Sequence, residues 1–268
     1  MKRKTMVFQL YPIAEGKISG LMFFLIAIIY TVYFLTTKKV PYIRRVPAID
    51  AIEEAIGRAT ELGKPVIASP GMSPRGIDTS TAAGLSILSH VSQLTARNDL
   101  KLIAPLGGSS ESYTTMELAR DIVESQYRLE GKPEAYDVDN MPFLSGRQFA
   151  WASAYCGLML REKPATNIMV GVQYASAVYI SEVAHEVGAM VISGTTYLSN
   201  IACLAASSDY VMIGEEMLAA GAYLSKDPKQ LATIRTQDIM KFVLLGILGL
   251  GIITLSFGSE LIIELLKS

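Results

Sequence analysis

The chain has 268 residues, which is enough for one substantial domain, and half of them are hydrophobic. Its mean hydropathy of +0.33 is high for a soluble protein, so we expect part of the chain to lie in lipid. The formal net charge of −1, without any long basic run, excludes the electrostatic surface typical of nucleic-acid-binding proteins. The two cysteines, Cys156 and Cys203, have no C-x-x-C spacing and no histidine nearby, and we expect free thiols buried as small core residues.

An uncharged N-terminal stretch is long enough to cross a membrane. Residues 1–17 form a short tail, and residues 18–37 are uncharged over about 20 residues, the length that a helix needs to span a bilayer. This stretch is too long for a signal peptide and no A-x-A-like site follows it, so we expect a permanent anchor. Residues 38–47 form a basic neck in which Pro41 and Pro47 stop the helix.

A second uncharged stretch predicts a second span over residues 239–259, followed by an interfacial tail over residues 260–268. Two spans place both termini on one side of the membrane and the domain, residues 48–235, on the other. The domain side of the second span carries Lys226, Lys229, Arg235 and Lys241, against Lys267 alone beyond it. The positive-inside rule therefore predicts a two-pass cell-membrane protein with a cytoplasmic domain, while the basic flanks of the first span balance.

The first half of the domain alternates between helical and extended patterns. Apolar periodicity and turn residues predict helices over residues 48–63, from a cap at Asp78 to about Arg97, from near Thr114 to Gly131, and over residues 145–163. Strands are expected over residues 65–69 and 100–106, and residues 134–142 are expected to be irregular, with an edge strand at 135–138 as the alternative. The helix after Asp78 is slim because it contains Gly84 and many Ala and Ser residues, so we expect it to pack tightly against the sheet or against a copy of itself.

The second half repeats a strand, a turn and a helix in three successive units. The units are residues 167–172 with 173–188, residues 189–194 with 195–208, and residues 209–214 with 215–225. Short apolar runs that alternate with longer periodic segments are typical of parallel strands covered on both faces by crossover helices. The sequence therefore predicts an α/β, Rossmann-like, doubly wound sheet of about five to six mostly parallel strands, flanked by one transmembrane helix at each end.

Small and polar residues follow the predicted strands, where a doubly wound sheet binds its ligands. The candidate ligand crevice consists of Ser69, Gly71, Arg75, Gly107, Gly108, Ser109, Glu111, Gly194, Thr195, Glu215 and Glu216. Glu215 and Glu216 could bind a hydroxyl-bearing or cationic ligand at the end of a buried strand. In the alternative interpretation, glycine and serine satisfy ordinary turns, and the two glutamates favour the helix dipole.

Known catalytic and cofactor motifs are missing from the sequence. It has neither a G-x-G-x-x-G after a strand nor a G-x-x-x-x-G-K-[ST], and Ser109 lacks the closing glycine of a G-x-S-x-G elbow. His185-Glu186 lacks the second histidine of H-E-x-x-H, since position 189 is alanine, and His90 lies in the middle of a helix. We therefore expect no metal, no cofactor and no catalytic residue.

Three segments carry a resemblance to a known family. Residues 65–71, 143–150 and 209–225 resemble an uncharacterised family of prokaryotic membrane proteins with a domain of unknown function. The likeness covers most of residues 46–235 and extends to the flanking spans. It implies a membrane-anchored α/β domain, and it carries over no catalytic residue because the family has no assigned activity.

Two functions from different classes are compatible with these patterns. The first is non-enzymatic: a self-associating, membrane-tethered domain that works as a structural or ligand-sensing part of a membrane assembly. Its expected partners are the lipid bilayer and further copies of the chain or a larger membrane complex. The second is an enzyme, a hydrolase or transferase acting on a polar or phosphorylated small molecule at the strand ends with Glu215 or Glu216 as acid or base. A binding module for such a molecule, without turnover, is a third hypothesis.

Overall fold

The computed structural model describes residues 17–37, 46–72, 76–108, 113–225 and 228–256. The chain divides into two compact units. One unit, Ile43–Lys226, contains the sheet and the helices that cover it. The other, Met1–Tyr42 with Asp227–Ser268, contains two apolar helices.

The described strands are short and parallel. They are β1 (Val66–Gly71), β2 (Leu102–Ile103), β3 (Leu106–Gly107), β4 (Phe143–Ser145), β5 (Thr166–Val172), β6 (Met190–Thr195) and β7 (Tyr210–Ile213). Five of them form the main sheet in the order β2-β1-β5-β6-β7, and β3 pairs with β4 in a second, two-stranded sheet. The predicted α/β class with a mostly parallel sheet is confirmed.

Helices cover both faces of the main sheet. Its unit contains α2 (Pro47–Leu62), α3 (Thr79–Arg97), α4 (Tyr113–Leu129), α5 (Gln148–Glu162), α6 (Ala177–Glu186), α7 (Leu198–Ser207) and α8 (Glu215–Ser225). Ile168 and Val170 of β5 belong to the core formed with α2, α3, α4 and α8. Met169, between them, belongs to the core formed with α5, α6 and α7. Successive strand residues point to opposite faces, so one strand contributes to both cores.

The predicted strand over residues 100–106 is wrong in its extent. The structure has two separate two-residue strands there, β2 beside β1 and β3 beside β4. Between them the backbone leaves the main sheet, because Ala104 donates to the carbonyl of Asn140 at 2.8 Å and Leu106 donates to that of Pro142 at 2.9 Å. Pro105 lies at this bend and has no N–H to give to a ladder.

The segment before α5 is irregular, as predicted. Two short 3-10 turns, Pro133–Ala135 and Val138–Asn140, occupy it, and the alternative of an edge strand at 135–138 is wrong. The strand is instead β4, and α5 begins at Gln148, three residues later than expected. Irregular backbone here is held locally, since Asp137 accepts hydrogen bonds from the backbone of Asp139 and the side chain of Asn140.

The slim helix α3 lies at the centre of one helical layer. The carboxylate of Asp78 accepts a 2.7 Å hydrogen bond from the Thr81 N–H, which is the predicted N-cap. A Cβ added to Gly84 would lie 2.5 Å from the carbonyl oxygen of Val170, and one added to Gly221 of α8 would lie 3.1 Å from the Cα of Ala83. The helix therefore packs tightly against the sheet and against α8 because its residues are small.

The second unit contains α1 (Lys17–Thr37) and α9 (Pro228–Ser256). Among the helices of the described ranges, α9 alone is long and apolar enough to cross a membrane. Its bounds differ from the expected span, because the helix already starts at Pro228. The described apolar part of α1 is Phe24–Thr36, and the Thr31 hydroxyl of α1 lies 3.2 Å from that of Thr236 in α9.

Candidate functional site

The order of the strands places a switch point between β1 and β5. The helices that follow these two strands, α3 and α6, belong to the cores on opposite faces of the sheet. In open α/β sheets a ligand binds outside the carboxyl ends of the strands at such a point, where the two crossovers diverge.

Glycines bring three backbones together at the switch point. Gly71 has φ +82°, and a Cβ there would lie 2.2 Å from the carbonyl oxygen of Val172. Gly171 has φ +135°, and its Cβ would lie 2.1 Å from the carbonyl oxygen of Pro70. Only glycine fits positions with both a positive φ and such a close neighbour. The ends of β1 and β5, with α3 behind them, therefore present backbone rather than side chains.

Ser69 is one of the predicted crevice residues, and its hydroxyl has a structural role. The residue is buried, and its Oγ donates to the Pro105 carbonyl at 2.8 Å and accepts from the Gly71 N–H at 3.2 Å. These bonds hold the end of β1 next to the bend before β3. The single donor of this buried hydroxyl is therefore used within the protein, and the group has a structural role.

Gly107 and Gly108 lie beside the indole of Trp151. A Cβ on Gly107 would lie 2.3 Å from Cδ1 and 2.5 Å from Nε1 of this ring, so only glycine lets the tryptophan pack on the strand. The N–H of Gly108 donates to the carbonyl of Ser145 at 3.3 Å. Trp151 is 1% exposed, and its Nε1 has no hydrogen-bond partner within the described ranges.

The remaining described candidates lie further along the sheet. Gly194 packs against the Met212 side chain, and Thr195 is buried, with its Oγ1 accepting from the Tyr197 N–H at 3.3 Å. Glu215 and Glu216 follow β7, three strand spacings or roughly 14 Å from β1. Glu216 accepts from the Ile213 N–H at 3.4 Å, as a residue of the first helical turn does.

The structure thus brings the glycines of β1, β3 and β5 to one edge and places the glutamates away from them. Arg75, Ser109 and Glu111 lie outside the described residues. Ser69, the described serine of the predicted crevice, lies on β1 beside β5, and the two glutamates lie beyond β6.

The residue that sequence reasoning missed is Gln173. It follows β5 directly and is 1% exposed, and its carbonyl oxygen accepts from Nδ2 of Asn200 at 2.6 Å. Its side-chain nitrogen and oxygen are both buried without a hydrogen-bond partner in the part of the chain that the structure describes. Its Nε2 lies 2.8 Å from the position of a Cβ on Gly71, at the switch point. The feature of the sequence that could have identified Gln173 is its position, a polar residue directly after the run predicted to be a buried strand.

The face of the sheet that α5, α6 and α7 cover has several other buried polar groups. The Tyr155 hydroxyl donates to Oδ1 of Asn167 at 2.7 Å, and the Ser193 and Ser208 hydroxyls lie 2.6 Å apart. Complete burial raises the pKa of Tyr155 well above its ordinary value. The other face is apolar at the matching strand positions, for example Ile168 and Val170. Thr166 is an exception on that face, where its buried hydroxyl donates to the Ala55 carbonyl at 3.2 Å.

The cysteines and histidines do not form a metal site in the described ranges, where no three His, Cys, Asp or Glu side chains converge. Cys156 and Cys203 are free thiols that are partly rather than fully buried, and burial raises the pKa of Cys156. His185 lies 3.3 Å from Asp209, which also accepts from the Val191 N–H at 2.7 Å. This carboxylate therefore joins α6 to the start of β7.

Two hollows lie away from the switch point. A groove of about 470 Å³ runs between α3 and α4 and reaches Leu224 at the end of α8. A smaller cavity of about 220 Å³ lies beside Lys101 and Leu102, at the start of β2, with Tyr127 and Tyr136 in its wall. The tyrosine rings are 6.3 Å apart between centroids. Neither hollow contains a residue of the predicted crevice.

Comparison with known proteins gives a family and no further relative. No curated protein and no solved structure matches the chain. A family model described as a domain of unknown function, DUF6754, matches residues 9–266, which is nearly the whole sequence. The match includes the α/β domain and both apolar helices. The chain therefore belongs to the family defined by the domain of unknown function DUF6754.

Proposed function

We propose that this chain is a two-pass protein of a prokaryotic cell membrane whose cytoplasmic α/β domain self-associates as a structural or ligand-sensing component of a membrane assembly. Helix α9 supports the anchoring. Its 29 residues extend about 43 Å at 1.5 Å per residue, more than the roughly 30 Å of a hydrocarbon core. Phe242 is 73% exposed and Leu245 is 61% exposed, which suits contact with lipid.

In this proposal, helix α1 is the other span. It has 21 residues, about 31 Å of helix, and large apolar side chains such as Phe24 and Ile29 are about two-thirds exposed. The hydroxyls of Thr31 and Thr236 meet between α1 and α9. Such a contact between the two helices favours a paired anchor over two independent spans.

Basic residues favour a cytoplasmic domain. Lys226, Lys229, Arg235 and Lys241 lie on the domain side of the second span, and Lys267 lies beyond it. Labelling with a membrane-impermeant maleimide tests the orientation. The chain first loses Cys156 and Cys203, and a single cysteine is then introduced at a chosen position. We expect Ser268→Cys to react in intact cells, and Ser125→Cys, at an exposed position of α4, to react only after the cells are opened. The reverse pattern would place the domain outside the cell.

The observation that carries self-association is an uncharged exposed surface formed by α7 and β7, here called the neutral face. Residues 198–208 contain no charged side chain, the exposed Asp209 between α7 and β7 lies 3.3 Å from His185, and β7 is an edge strand of the main sheet. The exposed residues of the neutral face are Leu198, Ser199, Ala202, Ala205, Ala206, Tyr210 and Ile213. Leu198 is 85% exposed, the largest value among the exposed large hydrophobic residues of the described ranges. Such a surface marks an interaction site.

A second copy of the chain suits the neutral face better than an unrelated charged partner. In a two-fold interface each residue near the axis meets its own copy, so charged residues there repel and uncharged ones do not. The exposed faces of α2 and α4, in contrast, carry acidic and basic residues such as Glu53, Arg58, Glu117 and Arg128. The outer edge of β7 adds backbone groups that another strand can pair with. Two anchors confine the copies to one plane and raise their effective concentration.

The test compares the size of gently solubilised particles from three full-length chains. We expect the wild type to form oligomers and Leu198→Glu to shift them towards monomers, because it buries a charge at the neutral face. Leu129→Glu is the matched control, since Leu129 of α4 is 75% exposed and lies outside that face. A wild type that stays monomeric at all concentrations, or a Leu198→Glu chain that assembles like the wild type, would refute the proposal.

A further inference from the structure

We propose that the switch point between β1 and β5 binds a small uncharged ligand through the side-chain amide of Gln173. The amide pairs with an edge of the ligand that has a hydrogen-bond donor next to an acceptor, as an adenine base or a primary carboxamide has. This inference concerns the carboxyl ends of β1 and β5 and not the exposed residues of the neutral face, and it holds whether or not the chain self-associates.

The side-chain amide of Gln173 is buried without a hydrogen-bond partner in the described ranges. Gln173 is 1% exposed, and neither Nε2 nor Oε1 has a partner within the described ranges. Buried polar atoms are almost always hydrogen-bonded, so each exception calls for an explanation. The backbone of this residue already has a structural bond from Asn200, and a methionine would fill the same volume without any polar atom. The amide itself is therefore free for a ligand.

The second step is the position of this amide. Its Nε2 lies over Gly71, where β1 ends and where a side chain would collide with the Val172 carbonyl. Gly107, the bridge partner of Met72, lies at the same edge, and the indole of Trp151 packs against it. The N–H of this indole also lacks a partner within the described ranges. Two donor nitrogens, Nε2 of Gln173 and Nε1 of Trp151, and one acceptor oxygen, Oε1 of Gln173, thus lie where a doubly wound sheet receives its ligand.

The third step concerns the charge of the ligand. The described backbone at this edge, residues 66–72, 104–108 and 172–176, contains no Lys, Arg, Asp or Glu. A charged group buried there would lose its hydration without gaining a counter-ion among these residues. An amide offers one acceptor and two donors, and glutamine pairs with two adjacent atoms of adenine in this way. A neutral base or carboxamide is therefore the best complement.

The experiment uses the full-length chain in detergent and three probes: adenosine, nicotinamide and inorganic phosphate. We expect adenosine or nicotinamide to raise the melting temperature progressively with concentration, as ligands of a folded state do. A response to adenosine identifies a base as the source of the donor–acceptor edge, and a response to nicotinamide identifies a carboxamide. A response to neither, or to phosphate alone, overturns the inference.

Gln173→Met separates ligand recognition from folding. We expect this variant to lose the ligand-induced shift, and we expect its own melting temperature to equal or exceed that of the wild type, because a buried unpartnered amide is removed. Gln126→Met, the same change at a half-buried position of α4, is the control and should keep the shift. A Gln173→Met chain that melts lower without ligand, or that still responds to the compound, would show that the amide has another role.

Discussion

At the scale of single residues, Gly84 provides a sharp test of close packing between a helix and the sheet. We expect Gly84→Ala to destabilise the domain by about 1–3 kcal/mol, because the new Cβ would lie 2.5 Å from a backbone oxygen of β5 that cannot rotate away. Gly57→Ala in α2 is the matched control, since nothing lies within 4 Å of its Cβ. This control should gain about 0.5–1 kcal/mol from helix propensity. Thermal melts of both variants measure these effects. A Gly84→Ala chain with the melting temperature of the wild type would contradict the close packing of α3 on the sheet.

The hydroxyl of Tyr155 allows a second test at this scale. We expect Tyr155→Phe to cost about 1–3 kcal/mol, because it leaves Oδ1 of the fully buried Asn167 without its partner. Burial raises the pKa of Tyr155 in the folded state, so the neutral tyrosine favours folding below its ordinary pKa of about 10. This contribution is lost as the pH rises towards the folded-state value.

The difference in melting temperature between wild type and Tyr155→Phe should therefore be constant between pH 7 and 9 and should shrink above about pH 10. A pH series of melts measures it. A difference that stays constant through this range would show that Tyr155 ionises equally well in the folded and the unfolded chain.

At the scale of elements, the sequence predicted the long, regular pieces and failed on the short ones. The runs that became β5 and β6 were recognised because strands buried on both faces read as continuous apolar segments. The two residues of β3 were not, because their pairing with Phe143 and Ser145 joins positions almost 40 residues apart. No local pattern records such a contact.

The residues of the candidate site were also only partly predictable from the sequence. Gly71 was predictable, since a tight turn after a strand demands glycine, whereas Gly107 is required for a different reason, the packing of the Trp151 indole. Gln173 was not singled out, because a neutral amide has no motif, and only its burial beside Gly71 distinguishes it. The pair Glu215 and Glu216 drew attention as adjacent carboxylates, yet β5 and β6 separate them from β1.

The cap of α3 gives a prediction at the same scale. Asp78→Ala should cost about 1 kcal/mol, because the Thr81 N–H loses its acceptor at the start of the helix that lies between the sheet and α8. Ser176→Ala is the comparison, since Ser176 precedes α6 without any side-chain bond to cap it. Melting curves should separate the two variants, and equal losses would show that the Asp78 bond contributes nothing of its own.

At the scale of the whole molecule, the two units raise the question of whether the α/β domain needs its anchors to fold. The unit Ile43–Lys226 contains both cores of the sheet in the described ranges, and its buried side chains include Trp151 and Tyr155. A domain with cores on both faces of a five-stranded sheet meets the usual requirement for independent stability.

We therefore expect residues 43–226, expressed without the apolar helices, to show a single cooperative melt. Gly84→Ala should lower the melting temperature of this fragment in the same direction as in the full chain, because the atoms that it displaces all belong to the fragment. Circular dichroism of the two fragments measures both effects. A fragment without a cooperative transition would mean that the anchors contribute to folding of the domain as well as to its location, and the neutral face would then have to be tested in the full chain alone.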